Sequence, residues 1–173
     1  ADVTIFSFQA VKNLPTSDSG MICWMDDEMD AWARKLSWLG ISKDTYARFN
    51  KDEKSYKWKY DVPDVGFKYH GNSIVASMGL VQLKYLDEDN KRRNELAELY
   101  TELLQENSDV SIIPVAPNCK TARHLFQIRL PKRDEIMEHF YNSNIYPGVH
   151  YLDNIEYSMY HYAKETCPNA EKA

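Results

Sequence analysis

The sequence is short of several things that would have narrowed its role. It has three cysteines, Cys23, Cys119 and Cys167, an odd number without C-x-x-C spacing, so neither a disulfide framework nor a zinc knuckle is expected. A reducing cytoplasm is the expected compartment. No apolar run approaches the ~18 residues that a membrane span needs, and no membrane partner is expected. Positive charge is not in excess: 21 Lys and Arg stand against 26 Asp and Glu, a formal net charge of −5. That balance argues against a general binder of the nucleic-acid backbone. His124, His139, His150 and His161 lack metal-ligand spacing such as i, i+4 beside a carboxylate, so no metal site is expected. Internal repeats and low-complexity tracts are also missing.

What is present is an ordinary globular composition, 43% hydrophobic and 27% charged over 173 residues. That length suits one domain able to bury roughly 70% of its unfolded surface. The two ends are unusual. The chain opens at Ala1-Asp2-Val3-Thr4-Ile5-Phe6, already inside a β-type alternation, and stops at Cys167-Pro168-Asn169-Ala170-Glu171-Lys172-Ala173 without a closing element. Both ends read as cuts from something longer.

Residues 3–8 alternate as a strand, a polar loop follows from Asn13 to Gly20, and Met21 to Trp24 reads as a second strand. Asp26-Asp27-Glu28 supplies a cap and favourable charge for a helix whose Met29, Trp32, Ala33 and Leu36 share one face, with Gly40 as its stop. Residues 41–72 form a long connection holding one alternation, Tyr56 to Val62. From Ser73 to Leu86 apolar residues run all round a helix, which predicts burial on most sides. Residues 91–106 are amphipathic instead, with Leu96, Leu99, Tyr100, Leu103 and Leu104 predicting one packed face. Phe126 to Leu130 reads as a half-buried strand, and Pro131 leads into a helix carrying Ile136, Met137, Phe140 and Tyr141 ahead of a Tyr-rich tail.

The most informative stretch is Phe6-Ser7-Phe8-Gln9-Ala10-Val11-Lys12-Asn13-Leu14. A lysine just past a strand end can be partly desolvated, and desolvation lowers its pKa towards nucleophilic competence. Ser7, five residues earlier, could offer a hydroxyl to an anion. On spacing alone, a solvated charge is the favoured reading of Lys12.

These residues, with Gly20-Met21-Ile22 and Asp26-Asp27-Glu28, resemble the DegT/StrS-type sugar aminotransferase family of fold-type I pyridoxal-phosphate enzymes, in which the lysine of Ser-Phe-His-Ala-Thr-Lys-Asn-Leu forms the Schiff base. The resemblance continues in order through Gly66-Phe67-Lys68-Tyr69-His70, Ile74 to Leu83, Arg92-Arg93, Arg123-His124-Leu125-Phe126, Ile128-Arg129-Leu130 and Gly148-Val149-His150-Tyr151. Any one match is weak, and the ordered set is strong.

The resemblance implies that Lys12 is the Schiff-base lysine, that Ser7 contacts the phosphate of pyridoxal 5'-phosphate, and that Lys68 adds positive charge near the phosphate in a neighbouring subunit's site. A solvated Lys68 is an equal alternative. By the same resemblance His70, His150 and Tyr151 face substrate, although a hydrogen-bonded pair remains the simpler reading of His150 and Tyr151. The implied reaction moves an amino group, with glutamate as donor, to a keto group on a nucleotide-linked sugar, in a homodimer. The implied fold is α/β, with this chain as its C-terminal half: mixed α+β, helix-rich, with a small sheet. Residues 1–45 would be the edge of the large cofactor-binding domain, and residues 46–173 the connection and the small C-terminal domain.

Three departures stand out. Ser17-Asp18-Ser19-Gly20 occupies the place of Gly-Glu-Gly-Gly, Gln9 that of a histidine, and His70 that of Arg or Asn. Retention of Lys12 separates the chain from the related dehydratases, where histidine replaces it. The family's partner for the pyridine nitrogen, its ring-stacking residue and its phosphate-binding helix lie before the lysine, so these residues supply the lysine and one wall of a site. A second reading follows from that: a non-catalytic fold or assembly unit whose apolar 74–86 helix seeks a partner. The basic, aromatic stretch of Lys51, Lys54, Tyr56, Lys57, Trp58, Lys59 and Tyr60 reads as a strand with one solvated lysine face rather than a nucleic-acid platform.

Overall fold

The computed structural model describes residues 2–42, 60–163, 166 and 168. It divides into two units, residues 1–106 with 113–127, and residues 107–112 with 128–173. The predicted strand over 56–62 and the basic stretch 51–59 lie outside the described residues, apart from Tyr60 to Val62, which form no strand.

The first unit opens with an antiparallel hairpin of β1 (Val3–Ser7) and β2 (Gly20–Trp24), in register from Val3 opposite Trp24 to Ser7 opposite Gly20. The expected alternation supplies both strands. Helix α1 (Asp27–Ser37) follows because Asp26 caps it, its Oδ1 accepting from the Met29 amide at 2.8 Å. Asp27, Glu28 and Asp30 in the first turn and Arg34 and Lys35 in the last complement the helix dipole. Gly40, at φ +71°, ends the run as expected, its amide donating to the Lys35 carbonyl at 2.9 Å.

Asn72 starts α2 (Ser73–Gln82) by accepting from the amides of Ile74 and Val75 at 3.0 and 3.1 Å. After a turn at 83–85 comes α3 (Leu86–Leu104). Two expectations fail here. Helix α2 is not buried on most sides: Ile74, Leu80 and Val81 are exposed, Ile74 to 73%. An apolar helix needs cover on every face, and α2 packs extensively on no other described element. It meets the 8–19 loop where Gly79 faces the methyl of buried Thr16. On α3 the leucine stripe is not the packed face, since Leu96, Leu99, Tyr100 and Leu103 are exposed, whereas Ala97 is buried with Asn90 and Asn94 half-buried beside it. Polar contacts to loops, described below, choose that face.

In the second unit β3 (Ser111–Ile112) pairs antiparallel with β4 (Ile128–Arg129), Ser111 opposite Arg129. The strand predicted over 126–130 is thus shorter than expected, and its partner carries too little alternation to be read from sequence. Helix α4 (Arg133–Asn142) begins after Lys132 in a left-handed conformation. The Tyr-rich tail forms two short 3-10 helices, Asn154–Glu156 and Ser158–Ala163, around buried Ile155. The whole is the mixed, helix-rich fold with small sheets that the resemblance implies.

Candidate functional site

Lys12 sits in a turn that the strand ends define. Beyond β1, the Phe8 amide donates to the Ser19 carbonyl at 2.8 Å, and the Thr16 amide returns to the Phe8 carbonyl at 2.8 Å, closing the mouth of the loop. Within it the Lys12 amide donates to the Gln9 carbonyl at 2.8 Å, the hydrogen bond of a β-turn. Gln9 accepts from the Val11 amide through Oε1 at 3.3 Å and so tightens the same turn. Lys12 is half-buried, and its ammonium is paired with no carboxylate among the described residues. Ser7 lies exposed at the end of β1, on the strand that leads into that turn.

The next residue fastens the turn from outside. The Asn13 carboxamide donates through Nδ2 to Asn90 Oδ1 and to the Ala122 carbonyl, both at 2.7 Å, and its Oδ1 faces His124 Nδ1 at 3.2 Å. Asn94, one turn after Asn90, donates to the Asn90 and Thr121 carbonyls at 2.9 and 3.3 Å. Sequence reasoning passed over Asn13, Asn90 and Asn94 as functional positions. A signal existed: asparagine is a poor helix-interior residue, so two of them one turn apart inside α3 mark a face with polar work.

Lys68 and His70 come together on a different feature, Trp38 at the C-terminal end of α1. The Lys68 ammonium lies 3.4 Å from the centroid of the Trp38 ring, and the His70 ring meets it edge-on at 4.1 Å. The segment is held in place by its backbone. The Phe67 amide donates to the Leu36 carbonyl at 2.7 Å, the Leu39 amide to the Phe67 carbonyl at 3.0 Å, and the Tyr69 and His70 amides to the Ser37 carbonyl at 3.0 and 3.1 Å. Lys35 adds an ion pair to Asp64 at 2.7 Å. His150 and Tyr151 belong to the second unit, exposed and ring against ring at 4.5 Å, across a cis peptide bond.

The donor set suits a phosphorylated aldehyde cofactor: an amine with no competing carboxylate among the described residues, and an exposed hydroxyl on the strand that leads to it. Among the described residues no group of three His, Cys, Asp or Glu side chains converges on a metal-sized site, and no helix is long and apolar enough to cross a membrane.

The hairpin carrying a turn lysine, followed by helices and a small sheet, matches the C-terminal half of fold-type I aminotransferases of known structure. The chain belongs to the DegT/DnrJ/EryC1/StrS aminotransferase family, whose profile matches residues 1–173. It is 31% identical to a dTDP-4-dehydro-2,3,6-trideoxy-D-glucose 4-aminotransferase of Saccharopolyspora spinosa, across 99% of this chain and 45% of that protein. Among solved structures, a putative sugar aminotransferase of Streptococcus pneumoniae in its PMP-form superposes with TM-score 0.84 at 28% identity, covering 99% of this chain and 45% of that one. The aminotransferase TlmJ from Streptoalloteichus hindustanus gives TM-score 0.79 at 30% identity, over 92% and 41%. The chain therefore spans about half the length of the relatives it matches. The family and the cofactor forms of its structures imply pyridoxal 5'-phosphate.

Proposed function

We propose that the protein containing this chain is a pyridoxal-phosphate-dependent aminotransferase that moves an amino group from glutamate to a keto group on a nucleotide-linked sugar, in the cytoplasm. The observation that carries this reading is Lys12, half-buried in a fastened turn and free of any carboxylate partner among the described residues. The names of its relatives support the nucleotide-sugar acceptor. Free thiols at Cys23 and Cys119 suit a reducing compartment.

When bound, the cofactor supplies the electron sink for transamination. Lys12 Nζ would hold it and would take and return the proton at the donor Cα. The Ser7 hydroxyl would donate to the cofactor phosphate. Lys68 would add positive charge near the phosphate in a neighbouring subunit's site. His70, His150 and Tyr151 contact the sugar nucleotide. Residues 1–45 form the edge of the large cofactor-binding domain and residues 46–173 the connection and small domain.

Adding pyridoxal phosphate to the purified protein, reducing with borohydride and mapping the peptides tests this directly. The expected product is a single modified residue, Lys12, lost in Lys12→Ala. No adduct, or an adduct at other lysines with Lys12 untouched, overturns the reading.

The exposed apolar residues of α2 favour a second, compatible reading, in which this part of the protein works inside an assembly of two copies. A monodisperse monomer by light scattering would overturn it.

A further inference from the structure

We infer that Asn13 is a positioning residue for Lys12: its carboxamide anchors the lysine turn to α3 and to the 121–124 segment and so fixes where Nζ can reach. The inference rests on the reading of Lys12 as the cofactor-holding amine. Its basis is the number and direction of the contacts. Both Nδ2 hydrogens are used, on Asn90 Oδ1 and the Ala122 carbonyl at 2.7 Å, and Oδ1 meets His124 Nδ1 at 3.2 Å. Three partners on two separate stretches of chain leave the carboxamide a single orientation.

The geometry gives this anchoring a direct consequence for Lys12. Asn13 is its immediate neighbour, so the peptide bond between them is held from the C-terminal side by the carboxamide and from the N-terminal side by the Lys12 amide on the Gln9 carbonyl. A lysine that must first hold a ligand and then deliver a proton gains from a fixed Cα, because all of its freedom is then confined to the side chain. The anchor is itself braced, since Asn94 ties Asn90 to the Thr121 carbonyl. The tether thus runs from the lysine turn to the second turn of a helix as well as to the 121–124 segment.

The substitutions that separate positioning from packing are chemical rather than steric. Asn13→Asp keeps the shape but turns both donors into an acceptor facing the Ala122 carbonyl, which cannot reverse its role. Asn13→Asp should therefore do at least as much harm as Asn13→Ala, an order that loss of packing alone does not produce. On the other side, His124→Asn places an amide N–H near the position of Nδ1, whereas His124→Phe removes the donor and keeps a ring. His124→Asn should rescue what His124→Phe loses.

The experiment uses the protein as its gene encodes it and has two arms. In the cofactor-free protein, hydrogen exchange of the amides at residues 9–14 is expected to quicken by about fivefold or more in Asn13→Ala and Asn13→Asp, with the other segments unchanged. In the loaded protein, kcat is expected to fall about 10- to 100-fold with the donor KM little changed, and the isotope effect from a donor deuterated at Cα to rise as proton delivery becomes limiting. An Asn13 that merely supports folding would lower the active fraction and leave the isotope effect where it was. Unchanged exchange at 9–14, or an unchanged isotope effect in both Asn13 variants, overturns the inference. Failure of wild-type protein to form any Lys12 adduct would overturn the proposed function instead, while the exchange arm still reports whether Asn13 anchors the turn.

Discussion

The ammonium of Lys68 rests 3.4 Å from the centroid of the Trp38 indole, with the ring of His70 against the same indole edge-on. A cation over an aromatic face is held by the ring quadrupole, and at an exposed position such as Lys68 the attraction is about 0.5–1 kcal/mol. That is weak enough for an anion to draw the ammonium away and strong enough to keep it from wandering. A double-mutant cycle on Trp38→Leu and Lys68→Met, read by urea denaturation, is expected to give a coupling of about 0.5–1 kcal/mol. Additive effects would mean that the ammonium is simply solvated.

Ser17 stands at φ +82°, a left-handed conformation that suits glycine better than serine. For an L-residue the left-handed conformation costs about 1–2 kcal/mol, and glycine returns part of that gain through its own conformational entropy. The Ser17 hydroxyl makes no hydrogen bond among the described residues, so little else is lost on removing it. Ser17→Gly is therefore expected to raise stability by about 0.5–1 kcal/mol, and Ser17→Val to lower it by more than that. Thermal melts of the two variants check both signs.

Two glycines set how closely the 60–70 segment approaches the end of α1. A Cβ on Gly66 would run into the Gly40 amide nitrogen and come within 2.5 Å of the Leu39 carbonyl carbon and 2.7 Å of the Leu36 oxygen, all backbone atoms. Backbone cannot step aside as a side chain can. Gly66→Ala is expected to cost about 2 kcal/mol or more and to free Lys68 and His70 from Trp38. Gly71, with nothing within 4 Å, is the control, and Gly71→Ala should shift stability by less than about 1 kcal/mol. Denaturant midpoints, together with limited proteolysis around residue 66, distinguish the two.

How much of this was legible in the sequence depended on the range of the signal. Elements specified by neighbours in sequence emerged where expected: the hairpin from its alternation, α1 from Asp26 and Gly40, and α4 after Pro131. The misjudged features are those decided by contacts between distant residues. The leucine stripe of α3 has the spacing of a core face, yet Asn90 and Asn94, reaching Asn13 and Thr121, turn a flanking face inward. The all-round apolar character of α2 carries no information about which element covers it. At the site, Lys12 and Ser7 were visible only through an ordered motif, and Trp38 had no local signal at all, because its role depends on Lys68 arriving from thirty residues away.

The tail shows the same limit and supplies a sharp test. In sequence it is only a Tyr-rich stretch, but Ile155 is 5% exposed and is the buried apolar side chain of the second unit among the described residues. Asp153 builds the position, its Oδ1 accepting from the Ile155 amide at 3.3 Å as the first 3-10 helix begins. Removing a buried branched side chain forfeits its transfer free energy and leaves a cavity that only partly closes. Ile155→Ala is expected to cost about 2–5 kcal/mol. Met159, 78% exposed in the next turn, should tolerate Met159→Ala within about 0.5 kcal/mol. Equal losses for the two variants, measured by denaturant unfolding, would show that the tail contributes no core and that the burial of Ile155 is incidental to stability.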